Sequence, residues 1–190
     1  MLKQIITETT DAVVAAVQGV DDILGALTDT VKNQVVSVLK GTGEIGGTTI
    51  ETVASVASGA VKGVGEVGAS ITDTAANTMS GVVNGVKQVS GDVLEGIQGA
   101  AQGIVQGTAD TGGDVGKAAV GAVQGAIKAA GETGADTGEA AKAAVNGVLD
   151  AATSVGGNAI DTVHEALLGA AALPRDVIES AIKGHKGKKD

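Results

Sequence analysis

The 190-residue chain contains no cysteine, phenylalanine, tryptophan or tyrosine, and its single proline is Pro174. Without cysteine it can hold neither a disulfide framework nor a thiolate metal site, and cysteine usage says nothing of redox compartment. Aromatics supply much of the volume in most cores and interfaces, so any compact core must be assembled from Val, Ile, Leu, Ala and two Met. The near absence of proline, with glycine at no strict third position, excludes collagen. No segment approaches the roughly 18 uncharged apolar residues of a bilayer span. The first residues, MLKQIITETTDAVV, have neither the apolar run nor the cleavage site of a secretory signal. Positive charge is scarce too: 13 Lys and Arg against 22 Asp and Glu leave a net −9, which argues against nucleic acid as a partner. Four of the lysines fall in the last eight residues, KGHKGKKD, so an acidic body of net −12 over residues 1–182 carries a short basic tail.

What the chain has in excess is glycine, 31 residues, and the glycines recur. A shift of 22 residues superposes Gly46, Gly68, Gly112, Gly134 and Gly156, with Ser90 in the same register. Six units follow from residue 46, from GGTTIETVASVASGAVKGVGEV to GGNAIDTVHEALLGAAALPRDV, and two looser units begin at Leu2 and Leu24. Eight units thus run without insertion to residue 177, leaving 178–190 as a short helix end and the basic tail. Fixed period is the mark of a repeat architecture and hard to reconcile with an enzyme whose loops were shaped for chemistry.

Within a unit, apolar residues favour positions 4, 8, 11, 12, 15, 16, 19 and 22, an approximate double 11-residue pattern. At about 100° per residue these positions fall on one helical face, while acidic residues such as Glu51, Asp73, Glu95, Asp110 and Glu139 lie beside or opposite it. The stripe comprises Val53, Val56, Val61, Val64, Val67, Ile71, Met79, Val82, Val83, Val86, Val89, Val93, Ile97, Ile104, Val105, Val123, Ile127, Val145, Val148 and Leu149. It is a lipid-facing or a helix-packing surface. Strand-like alternation is absent over any useful length, and the fold class is all-α: eight 22-residue amphipathic helical repeats.

Two arrangements remain open at this level. An 11-residue pattern has 3.67 residues per turn, so its stripe stays on one side of a nearly straight helix. The glycine pairs Gly59/Gly63, Gly81/Gly85 and Gly103/Gly107, extended by Gly99, have the spacing that lets helix backbones approach closely. The unit junctions, such as GTADTGG and GETGADTG, look instead like helix ends, with a C-capping Gly followed by an N-capping Thr, Ser, Asp or Asn. On that view the chain zigzags as antiparallel hairpins. Pro174 suits the first turn of a last short helix, about residues 175–183. With so much glycine the helices are expected to be marginal in water, leaving part of the chain disordered.

Strings such as SGVVNGVKQVSGDV, SGAVKGVGEVGASITDT and GAVQGAIKAAGETGADT resemble the 11-residue repeats of perilipins and synucleins over most of residues 46–155. Those repeats are rich in Gly, Val, Thr and Ala, poor in aromatics, and coat lipid droplets or vesicles. The resemblance implies a lipid surface as partner. Synuclein repeats flank their apolar face with Lys, whereas this body is acidic, which points toward neutral surfaces such as droplets. Group 3 late-embryogenesis-abundant proteins use similar repeats with more Lys and Glu.

Motifs of other chemistry dissolve into the repeat. Gly41-Thr-Gly43-Glu-Ile-Gly46 matches a dinucleotide-binding pattern but lacks the strand–helix–strand context, and it recurs one repeat later at Gly63, Gly65 and Gly68. Gly112-Gly-Asp-Val-Gly116-Lys117-Ala118 is one residue short of a phosphate loop and lacks its Ser/Thr. His164 has no second His four positions on and is expected on the polar edge of its helix; His185 is expected in the solvated tail. The acidic pairs Asp21/Asp22 and Asp92/Glu95 read as solvated surface. With no convergent nucleophile, base and orienting group, no catalytic, metal or cofactor residue is expected, and no small-molecule substrate. The chain is expected to be a non-enzymatic, cytoplasmic coat on lipid surfaces, held shallowly by its Val/Ile/Ala face and by the avidity of linked units. The alternatives are a self-packing structural repeat (bundle, solenoid or filament) and a desiccation protectant.

Overall fold

A computed structural model describes residues 23–41, 50–65 and 70–186; the first unit and the end of the basic tail lie outside them. The described residues form eight α-helices and no strand: α1 (Ile23–Gly41), α2 (Ile50–Gly65), α3 (Ile71–Gln88), α4 (Val93–Asp110), α5 (Val115–Thr133), α6 (Thr137–Val155), α7 (Ala159–Gly169) and α8 (Arg175–Lys186). The single long helix is not realised. From Leu24 onward each 22-residue unit supplies one helix, α1 to α7, and α8 begins at the end of the last unit and runs beyond it.

The breaks follow from local chemistry. Asp92 accepts the Leu94 and Glu95 amides at 2.8 and 3.1 Å, Asp136 those of Gly138 and Glu139 at 2.8 and 2.9 Å, and Asp114 that of Lys117 at 3.0 Å. Each satisfies N–H groups that the first helical turn leaves free. Before the Asp114 and Asp136 caps the chain turns through a glycine of positive φ, Gly112 at 71° and Gly134 at 76°, and Gly156 at 78° stands before Asn158, which makes no side-chain cap. Ser90, in the same repeat register, adopts φ 57° although it carries a Cβ. Pro174 directly precedes α8, and its carbonyl accepts from Val177 and Ile178.

Each helix packs most extensively on the helix two positions along the chain and less on its immediate neighbours; among the described residues no helix touches one three or more positions away. Odd helices therefore form one layer and even helices the other. Within a layer neighbours run parallel, because the partner's residue number rises in step: Gly99 lies over Ile50, Gly103 over Ala54, Gly107 over Ser58. This is the connectivity of a quasi-one-dimensional helical stack. The core between the layers is aliphatic, with Val56, Met79, Val82, Val83, Ile97, Ile104, Val123 and Leu149 all at 0% exposure. Fully burying a Val or Leu side chain is worth roughly 1.5–3 kcal/mol, and most of the remaining contact surface is alanine, including Ala100, Ala118, Ala122, Ala126 and Ala144.

Candidate functional site

The sequence-predicted stripe and glycines converge on one feature, the packing surface between helices. Of the stripe, Val53, Val56, Val61, Val64, Met79, Val82, Val83, Val86, Ile97, Ile104, Val105, Val123, Val145, Val148 and Leu149 are buried in the common core. Ile71, Val89, Val93 and Ile127 pack partly buried against it, and Val67 lies outside the described residues. The stripe faces other helices of the same chain.

The glycines set how closely those helices approach. A Cβ at Gly99 would lie 2.5 Å from the Ile50 carbonyl oxygen, at Gly107 2.8 Å from that of Ser58, and at Gly103 against that of Ala54. The same relation joins α3 to α1, where Gly81 and Gly85 would meet the carbonyls of Thr28 and Lys32 at 2.7 and 2.9 Å. Gly59 and Gly63 are buried in α2. Three glycines outside the predicted set act identically: Gly121 over Thr72, Gly125 over Ala76 at 2.6 Å, and Gly147 over Gln98. Gly125 and Gly147 occupy the repeat position of Gly81 and Gly103, and Gly121 that of Gly99, so the repeat register carried their signal. The buried alanines were missed because the stripe was read from its larger residues. A glycine inside a helix costs roughly 1 kcal/mol relative to alanine. Here the cost is offset by backbones near enough for Cα–H···O=C contacts, worth perhaps 0.5–1 kcal/mol each, and by the dispersion that close packing brings.

Polar ties reinforce the same pairs. Thr28 Oγ1 donates to Asn77 Oδ1 at 3.2 Å between α1 and α3, and Lys62 Nζ meets Asp110 Oδ2 at 2.7 Å between α2 and α4. Lys87 Nζ donates to the Thr133 carbonyl at 2.6 Å between α3 and α5, capping the C-terminal end of α5. Gln98 Nε2 donates to Asp150 Oδ2 at 3.4 Å between α4 and α6. His185 corrects an expectation: it is 9% exposed rather than solvated, with Nε2 3.8 Å from Asp150 Oδ1. The reason is that α8 extends to Lys186 and lays His185 against α6. His164 is half-buried on α7.

Among the described residues no three His, Asp or Glu side chains gather as a metal site would require. Within the segment that resembles a phosphate cradle, the Asp114 carboxylate occupies the α5 N-terminus where a phosphate would bind. The amide of Lys117 holds the Asp114 carboxyl below its ordinary range, and Glu139 raises Lys142 on the surface of α6. No described helix is long and apolar enough to cross a membrane. No protein-family model matches the chain, and no curated protein does. Buried stripe, seated glycines and same-layer ties all serve one end, holding helix on helix.

Proposed function

We propose that this chain is a non-enzymatic structural repeat protein, a two-layer helical stack whose amphipathic stripes are consumed in packing against one another. The observation that carries this reading is the state of the stripe. Fifteen of its residues are already buried, and the large apolar side chains left exposed among the described residues are Leu94, Val155 and Leu168, each at 38–39%. They sit on α4, at the end of α6 and on α7, and do not line one face of one helix. A coat needs a continuous apolar face toward lipid. To offer one, this fold would have to separate its layers and give up the glycine contacts that make them fit.

Far-UV circular dichroism of the full chain, alone and with neutral droplets or vesicles of graded curvature, tests the proposal. High helicity in buffer, a cooperative thermal transition and no gain with lipid are expected. Low helicity that rises steeply with lipid would overturn the self-packed reading and restore the lipid-surface coat. Low helicity that rises only on drying would point to a protectant.

A further inference from the structure

The line of α3 that faces α1 is Asp73, Asn77, Gly81 and Gly85. Asn77 takes the Thr28 hydroxyl, and the two glycines are buried against the Thr28 and Lys32 carbonyls. Two units earlier the same positions of α1 read Asp29, Asn33, Ser37 and Gly41, a line that differs in kind only at Ser37. All four of these residues are exposed, and a Cβ at Gly41 would meet nothing within 4 Å. The face that α3 uses for docking thus stands open on α1. Ser37 decides what can use it. A Cβ at Gly81 would lie 2.7 Å from the Thr28 carbonyl oxygen and 2.8 Å from Val31 Cβ. Ser37 has that Cβ and a hydroxyl beyond it, so α1 cannot seat on a further helix at the spacing that α3 keeps from α1.

The complementary face lies at the far side of the same layer. α7 packs on α5 through Thr162 and Ala166, which lie against Gly116. At about 100° per residue, Ile160, His164 and Leu168 fall on the opposite side of α7. They hold the repeat positions of Ile50, Ala54 and Ser58, whose carbonyls receive the glycines of α4. Among the described residues no odd-layer helix follows α7, and Leu168 is 39% exposed. Resting on the self-packed reading above, we propose that the odd-layer interface continues onto a second copy of this chain, the α1 face of one on the α7 face of the next, and that Ser37 holds the two apart. A helical stack is quasi-one-dimensional, each unit touching only its neighbours, and a head-to-tail contact that does not close runs on into filaments. One hydroxymethyl group at the seat stops that growth by overpacking it. Ile160 stands where α1 has Thr28, so the Thr–Asn tie has no counterpart there. The contact, once opened, rests on Leu168 and the glycines and is weak.

The test is sedimentation equilibrium of the full chain, with far-UV circular dichroism on each protein. The wild-type mass should stay that of a monomer as concentration rises. Ser37→Gly, at an exposed position, should keep the wild-type helicity and associate with a dissociation constant of roughly 0.1–1 mM, as a contact of one helix on one helix implies. Adding Leu168→Arg on the exposed face of α7 should weaken that association roughly tenfold or more. A helical Ser37→Gly that remains monomeric would overturn the inference while leaving the stack intact. So would a wild type that associates as readily as the variant, or an association that Leu168→Arg leaves unchanged. Low helicity in the wild type would instead overturn the self-packed reading, and this inference with it.

Discussion

Adding one methyl group at Gly125 should loosen the whole odd layer. A Cβ there would lie 2.6 Å from the Ala76 carbonyl oxygen, 2.8 Å from its Cα and 3.0 Å from its carbonyl carbon. All three atoms are backbone of α3, so no rotamer change relieves the contact. Reaching ordinary van der Waals distance moves α5 away from α3 by about 1 Å, and a gap of 0.5–1 Å forfeits a quarter to a half of the dispersion well for the atoms it separates. Overpacking of this kind costs typically 1–3 kcal/mol, and a backbone-on-backbone clash belongs at the upper end. Alanine's better helix propensity returns about 1 kcal/mol, leaving a net loss near 2 kcal/mol. Gly131, six residues on in the same helix, is the internal control: its Cβ would meet only Thr137 Cγ2, at 3.7 Å. Gly131→Ala should therefore stabilise by about 0.5–1 kcal/mol. With no aromatic side chain for fluorescence, urea unfolding followed by far-UV circular dichroism is the assay, with calorimetry beside it. The thermal midpoint should fall by roughly 4–8 °C in Gly125→Ala and rise by about 1–4 °C in Gly131→Ala. Equal or greater stability for Gly125→Ala would refute the claim that glycines set the helix spacing.

Three further substitutions probe other parts of the argument. Ser90→Gly should stabilise by about 0.5–1 kcal/mol, since Ser90 holds a left-handed φ of 57° where the aligned junctions have glycine; calorimetry reads the shift directly. Thr78 is 0% exposed with no partner for Oγ1, so the near-isosteric Thr78→Val should raise stability by about 1 kcal/mol in urea, and a loss would mean that a bound water satisfies the hydroxyl. Asp114 titrates below its ordinary value because the Lys117 amide favours its charged form. Its contribution is therefore complete above about pH 4 and lost as pH falls through the lowered folded value. For so exposed a group this amounts to a few tenths of a kcal/mol, and Asp114→Asn, which keeps a capping oxygen, should remove that pH dependence from the acid limb of the unfolding profile.

The helices and their ends were legible because they are written locally. Asp114 and Asp136 cap at junctions where the pattern offered an Asp, with Gly112 and Gly134 turning the chain just before, whereas Asp92 had read as solvated surface and caps α4. The choice between a rod and hairpins was less accessible, since an 11-residue pattern suits a straight helix as well as it suits six turns of helix interrupted by a bend. What the stripe faces is not a local property at all. A hydrophobic face records that Val82 or Ile104 avoids water, without recording whether lipid or another helix covers it. His185 was misplaced for a related reason: its neighbours Lys183 and Lys186 make the segment look solvated, and only the packing of α8 on α6 buries the ring.

The glycine contacts also show how a repeat can hold its register without large side chains. In α4 on α2, α5 on α3 and α6 on α4, each seated glycine lies 49 residues after the carbonyl that receives it: Gly99 after Ile50, Gly121 after Thr72, Gly147 after Gln98. That is two repeat units plus five residues, the same displacement each time. In α3 on α1 the separation is 53, as for Gly81 and Thr28, one helical turn further along. A slip of one turn presents nearly the same face of the helix, so Gly81 and Gly85 still find carbonyls and the alternation of layers survives. Sequence-specific knobs would forbid such a shift, whereas glycine against backbone accepts it, because every turn of helix offers another carbonyl. The polar ties then select among the permitted registers. Thr28 reaches Asn77 in the shifted pair, and Lys62 reaches Asp110 in an unshifted one. Close approach supplies the adhesion and a few charged or hydroxyl side chains supply the address, which is how a chain without a single aromatic residue can build an ordered stack.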